Sequence, residues 1–148
     1  MNPPSASPML YVSYWNFFRQ YYTPLLQEMD IILKGIDNEE PISVAETARA
    51  LVMKEKTVEK IMVRESIQCI DQEGFLRIVM NGTSPLCRLL QREYLCGSPE
   101  RYNSAHIAYI YGLQSEHVAE VFRANGYTEI RPQALQDVLD KIFIFIMQ

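Results

Sequence analysis

Five side chains between residues 54 and 64 have the chemistry needed to contact a nucleic-acid backbone. They are Lys54, Lys56, Thr57, Lys60 and Arg64. Ammonium and guanidinium groups contact phosphates, and an arginine can also bind a guanine edge. Glu55 and Glu59 lie among them and oppose phosphate, although a carboxylate can accept a hydrogen bond from cytosine. On a merely solvated helix face, Lys56 would repel Lys60 and Glu55 would repel Glu59, so a solvated face explains the pattern poorly.

The cysteines and histidines do not form a metal-binding or catalytic pattern. Cys87, Cys96, His106 and His117 are separated by nine to eleven residues, and no CxxC or HxxxH ligand pair occurs. Together with Cys69 the chain has three cysteines, an odd number, and we expect them to be small core residues rather than a disulfide framework. No GxGxxG, GxxxxGK, HExxH or GxSxG motif is present. We therefore expect no enzyme activity, no metal and no cofactor.

Two short helices are predicted to position the basic side chains. Ser43, with Glu46 three residues later, forms a capping box that satisfies exposed N–H groups at a helix start. The first helix then runs from Val44 to about Val52. The second runs from about Lys56 to Arg64, so most of the basic residues fall on it.

The apolar residues of this segment have the spacing of two helices that cross closely. Such a crossing needs a small residue, and Ala48 supplies it. The turn follows at Val52, then the apolar Met53, and the second helix places Val58 and Ile61 inward. These positions predict a helix–turn–helix.

A β-hairpin is predicted directly after the two helices. Ile67 and Cys69 begin an alternating strand, and residues 71–74 (DQEG) form a turn with glycine at its end. Residues 75–79 are the predicted return strand, which carries Arg77.

Residues 43–78 resemble the winged helix-turn-helix of the excisionase and MerR-like DNA-binding families. The resemblance depends on the residues above and on Gly74, Phe75 and Arg77-Ile78, which match the hairpin end of those families. It covers about a quarter of the chain, and Val52 stands where those families have a glycine. It implies that the second helix enters the major groove of DNA while Arg77 on the wing reaches an adjacent backbone or minor groove. The implied DNA-binding residues are Lys54, Lys56, Thr57, Lys60, Arg64 and Arg77.

A second segment, residues 105–122, repeats the same spacing with Ala108, Gly112, Val118 and Val121. The outward residues of its second helix are Ser115, Glu116, Glu120 and Arg123. A surface with two glutamates and one arginine binds phosphate poorly. The helix pair at residues 105–122 is therefore expected to be structural or to bind protein.

The rest of the chain is predicted to be helical. Residues 1–8 are a proline-rich lead-in, and residues 9–34 form a helix with an aromatic stripe that packs on the core or forms a homodimer interface. Further helices are predicted at 85–95, 103–112, 115–125 and 132–147. The expected organisation is an N-terminal tail and aromatic helix (1–41), a winged helix-turn-helix (42–82) and a C-terminal helical region (83–148). The predicted fold class is therefore mainly α.

The net charge and the hydropathy of the chain limit the functions it can have. The 148 residues carry a net charge of −4, but residues 42–94 are net +1 whereas 1–41 are −3 and 95–148 are −2. No stretch is long and apolar enough for a membrane span, and no secretory signal is evident, so we expect a soluble cytoplasmic protein.

The sequence is compatible with two functions. The first is a DNA-binding regulator that reads the major groove of double-stranded DNA with residues 56–64, helped by dimerisation. The alternative is an acidic protein-interaction module, such as a phage or mobile-element inhibitor of a nucleic-acid enzyme, which has the helix-turn-helix fold but no DNA affinity.

Overall fold

The computed structural model describes residues 9–36, 40–97 and 99–147, which form eight α-helices and a two-stranded antiparallel sheet. The elements are β1 (Met9–Ser13), α1 (Tyr14–Ile36), α2 (Val44–Leu51), α3 (Glu55–Arg64), α4 (Gln72–Asn81), α5 (Pro85–Leu95), α6 (Ser104–Tyr111), α7 (Ser115–Ala124), α8 (Leu135–Asp140) and β2 (Phe143–Met147). A 3-10 turn at Pro132–Ala134 precedes α8. The mainly helical class predicted from the sequence is confirmed. The described residues divide into two compact units, one of residues 9–21 and 99–147 and one of residues 22–36 and 40–97.

The first unit brings the two ends of the described chain together in the sheet. β1 pairs with β2 in antiparallel register, with Tyr11 opposite Phe145 and Ser13 opposite Phe143. The Ser13 hydroxyl donates to the Asp140 carboxylate at 2.9 Å. The predicted helices 9–34 and 132–147 are therefore wrong at their outer ends, where alternating aromatic and β-branched residues form strands instead.

The aromatic stripe of α1 is largely occupied within the first unit. The Tyr14 ring is buried and lies 5.6 Å from the Tyr111 ring, while Phe18 lies 5.8 Å from the same ring. Packing against α6 therefore accounts for these aromatic positions, and the homodimer predicted for this helix stays a prediction.

The second unit contains α2–α5 around an apolar core. Its most buried side chains include Leu51, Val58, Phe75 and Ile78. Helix α5 begins as predicted, with Ser84 as N-cap and proline at the first helical position. The Ser84 hydroxyl also donates to the Leu51 carbonyl at 2.6 Å, which joins the end of α2 to the start of α5.

The predicted hairpin wing is wrong, because residues 72–81 form helix α4. Asp71 is the N-cap of α4, and its carboxylate accepts a hydrogen bond from the Gly74 N–H at 2.7 Å. Phe75, Ile78 and Val79 are buried at helical spacing. Only one bridge, between Ile42 and Ile70, forms where the first strand of the wing was expected. Residues 75–79 have apolar side chains that fit both the helical and the strand period, so the cap at Asp71 and the packing of the segment decide its conformation.

The two units contain the same module at one constant offset along the chain. In each, two helices flank a residue of left-handed conformation, Val52 in the first and Gly112 in the second. In both, a single antiparallel bridge joins a residue before the helix pair to one after it, Ile42 with Ile70 and Tyr102 with Ile130, and a third helix comes next. The repeat predicted from the spacing at 105–122 thus extends over a whole three-helix module.

Candidate nucleic-acid interface

Helix α2 begins at the N-cap predicted from the sequence. The Ser43 hydroxyl accepts a hydrogen bond from the Glu46 N–H at 3.1 Å. The Glu46 carboxylate accepts from the Ser43 hydroxyl at 3.3 Å instead of from its backbone. The cap therefore satisfies one exposed N–H of α2, while the reciprocal bond of a full capping box is replaced by a side-chain contact.

The turn between α2 and α3 lies at Val52, where the spacing places it. Val52 has φ 56° and ψ 51°, the left-handed conformation that glycine adopts most readily. The Met53 N–H donates to the Ala48 carbonyl at 2.8 Å and so closes the end of α2. Burial of α2 and α3 on the core holds a β-branched residue in a conformation that costs about 1–2 kcal/mol.

Helix α3 is buried along one face and exposed along the other. Val58 and Ile61 are buried in the core with Ala48 and Leu51 of α2, as the spacing predicts. Met53 is half-buried, and its Sδ lies 3.7 Å from the Sγ of Cys87. The inward anchors are therefore in place, and they fix which side of α3 is presented outward.

The outward face of α3 carries the predicted basic residues. Lys54 is the N-cap of α3, and its side chain makes no capping bond. Lys56, Lys60 and Arg64 are exposed on the helix, whereas Thr57 is half-buried at its first turn. The structure thus brings five of the six predicted DNA-binding residues onto one surface, which we call the α3 face and define as Lys54, Lys56, Thr57, Lys60 and Arg64.

The cations of the α3 face are almost free of acidic partners. Among the described residues the three lysines form no ion pair, and Arg64 has only a long contact of 3.9 Å with Glu65. An exposed contact of that length contributes little free energy. Glu55 and Glu59 are exposed on the same helix, and Val63 is 82% exposed. The face is therefore basic but interrupted by two carboxylates.

Arg77, the sixth predicted DNA-binding residue, is not on a wing. It lies in α4, and its guanidinium donates to the Glu65 carbonyl at 2.5 Å. A second contact joins the guanidinium to the Glu65 carboxylate at 3.5 Å. Because Glu65 is the C-cap of α3, Arg77 satisfies a carbonyl at the end of that helix. Arg77 therefore fixes α3 against α4, and the prediction that it contacts DNA from a hairpin is wrong in its geometry.

The equivalent helix of the second module has a different surface. Ser115, Glu116, Glu120 and Arg123 of α7 are exposed, as predicted, and Val118 is buried like Val58 of α3. With one cation against two carboxylates, α7 is a weaker phosphate surface than α3.

In the part of the chain that the structure describes, no group of three or more histidine, cysteine, aspartate or glutamate side chains could hold a metal ion. No helix of the described ranges has both the length and the apolar character needed to cross a membrane. Burial raises the pKa of the Cys87 thiol, which keeps it protonated in the core.

Comparison with protein-family models, with curated proteins and with solved structures finds no match for this chain.

Proposed function

We propose that the chain binds double-stranded DNA by inserting α3 into the major groove, and that it acts as a DNA-binding regulatory protein. The observation that supports this is the α3 face itself. Three lysines and Arg64 are exposed opposite buried anchors, on the second of two helices joined by a tight turn. A helix so mounted matches the width of the major groove, and its cations are placed to contact phosphates.

The charge of the α3 face predicts how the affinity depends on salt. If its four cations each neutralise one phosphate, the slope of log affinity against log salt is about −3.6. Raising salt fourfold would then weaken binding by a factor of roughly 150. Arg64 is the candidate for a guanine edge, and Glu55 or Glu59 can accept from cytosine, so base preference would come from these groups.

The experiment compares two double charge reversals in fluorescence anisotropy with labelled genomic duplexes. Lys56→Glu with Lys60→Glu should abolish binding without lowering the free energy of unfolding, because both side chains are exposed. Arg88→Glu with Arg131→Glu is the matched control, since it changes the net charge equally at exposed positions outside α3. Equal loss in both variants would show a nonspecific charge effect, and unchanged binding in the first would remove the α3 face from the proposal.

The alternative function is a protein-interaction module that keeps the fold without DNA affinity. The net charge of −4 and the acidic surface of α7 favour it. Absence of any mobility shift with genomic fragments at low salt would support this alternative, because phosphate-driven binding is strongest there.

A further inference from the structure

An exposed apolar side chain lies among the cations of the α3 face. Val63 is 82% exposed, and it follows the buried anchors Val58 and Ile61 by five and two residues. Because an α-helix turns by about 100° per residue, Val63 projects almost directly away from both anchors. Lys56 lies seven residues earlier, which is almost two full turns, and it projects in nearly the same direction. Val63 therefore faces whatever binds to the α3 face.

Val63 forms part of an open hollow between longer side chains of α3. The hollow, which we call the α3 hollow, has a volume of about 410 Å³ and is lined by Lys56, Glu59, Lys60, Val63 and Arg64. Three of these side chains are cations and one is a carboxylate, so the lining has a net positive charge. The carboxylate of Glu59 repels a phosphate but can accept a hydrogen bond from the amino group of cytosine. The α3 hollow is therefore suited to a base edge that has phosphates on either side.

The fold itself does not require an apolar residue at the position of Val63. In α7, Arg123 follows the buried Val118 by the same five residues, and Arg123 is exposed. A side chain as exposed as Val63 buries little surface and so contributes little to stability. Isolated exposed apolar side chains are common on proteins, but Val63 differs from them because three cations share its hollow. A binding role explains this combination better than a structural one.

We propose that Val63 is a specificity-determining residue that selects thymine, by packing its methyl groups against the 5-methyl group of the base in the major groove. This inference rests on the proposed insertion of α3 into DNA. Thymine alone among the four standard bases presents a methyl group there, and apolar side chains contact it. The longer cations around Val63 contact the phosphates and fix the register of the helix. A β-branched side chain has one preferred rotamer in a helix, so Val63 loses little conformational entropy on contact.

The test removes only the methyl group from the DNA. The tightest-binding duplex is selected from a random pool and resynthesised with deoxyuridine in place of each thymidine in turn, which leaves every base pair intact. Burial of one methyl-sized group changes a binding constant by about fourfold. Deoxyuridine at one or two positions should therefore weaken binding by about that factor in fluorescence anisotropy, and deoxyuridine elsewhere should have no effect.

Variants of Val63 connect the loss of affinity to α3. Val63→Ser lacks both methyl groups and should bind the thymine and uracil duplexes equally. Valine and serine have similar helix propensities, so the unfolding curve of this variant should overlay that of the parent chain. Val63→Ile keeps a β-branched apolar side chain and should keep the preference for thymine. Ile31→Ser is the matched control, because it changes an exposed apolar residue of α1 and should also leave the preference intact.

The outcomes separate this inference from the proposed function. If the parent chain binds the duplex but uracil has no effect, or has the same effect in Val63→Ser, the selection of thymine is overturned while DNA binding stands. If the parent chain binds no duplex at low salt, both proposals fail together.

A second modified duplex distinguishes thymine from the other base that carries this methyl group. Replacement of cytosine by 5-methylcytosine in the selected duplex should leave the affinity of the parent chain unchanged. If 5-methylcytosine instead strengthened binding by the parent chain but not by Val63→Ser, and uracil had no effect, the selected base would be 5-methylcytosine and the proposal for thymine would be overturned.

Discussion

Replacement of Arg77 separates a structural role from a DNA-contacting role in one experiment. The sequence predicts that Arg77 contacts DNA from a wing, whereas the structure places it in α4 with its guanidinium on the C-cap of α3. Arg77→Ala should therefore lower the free energy of unfolding and leave the salt dependence of DNA binding unchanged. Lys60→Ala should do the opposite, because Lys60 is exposed and unpaired among the described residues.

The expected loss of stability follows from the contacts of the guanidinium. A hydrogen bond from a charged donor to a carbonyl contributes about 1.5–3 kcal/mol when shielded from water. The Arg77 side chain is 42% exposed and the Glu65 side chain 29%, so solvent screening reduces that figure and leaves the 3.5 Å ion pair worth about 0.5 kcal/mol or less. The total is about 1–2 kcal/mol, which for a chain of this length lowers Tm by roughly 3–8 °C.

The assay combines urea unfolding with DNA affinity measured at several salt concentrations. Arg88→Ala is the matched control, because it removes an exposed arginine whose side chain has no hydrogen bond or ion pair among the described residues. Arg77→Lys should recover only part of the stability, since an ammonium lacks the planar fork of the guanidinium. If Arg77→Ala left stability unchanged but reduced the salt slope by about one, Arg77 would be a phosphate contact and the reasoning from α4 would be refuted.

Two other predictions concern the packing of the second unit. Gly82→Ala should destabilise the chain by about 1–3 kcal/mol in urea unfolding, because the added Cβ would lie 2.5 Å from the Sγ of Cys87. Gly35→Ala, whose Cβ would meet no atom of the described residues within 4 Å, should be neutral or stabilising and serves as its control. Cys69 is exposed and should react with a thiol reagent in the folded chain, whereas burial raises the pKa of Cys87 and should delay its alkylation until unfolding. Reaction of Cys87 as fast as Cys69 at neutral pH would contradict the buried position.

Helix caps and apolar spacing in the sequence correctly predicted the helix starts and the turn, because residues close together along the chain decide the conformation there. Ser43 and Ser84 are caps at the expected helix starts, and their hydroxyls accept from N–H groups three residues later. The spacing of Ala48, Val58 and Ile61 placed the turn at Val52 despite its unfavourable residue type. That spacing suffices because these side chains must share one core, and their burial outweighs the local conformational cost.

Some short segments fit both the helical and the strand period, and contacts between residues distant in sequence decide which conformation they adopt. Residues 75–79 alternate well enough for a strand, and their burial as α4 depends on packing against α3 and α5. The strand β1 pairs with β2 from the other end of the chain, a partner that no local pattern reveals. Periodicity over five residues cannot separate such alternatives.

The amino-acid sequence by itself determined the identity of the basic helix, its inward anchors and the repetition of the helix–turn–helix spacing in the second half of the chain. Only the tertiary structure decided that Arg77 bonds to the end of α3 and that Leu76, Met80, Leu90 and Tyr94 line one groove. The physical reason is that a helix face is set by neighbours three and four residues apart, whereas a groove or a cross-helix bond exists only when separate elements are packed together.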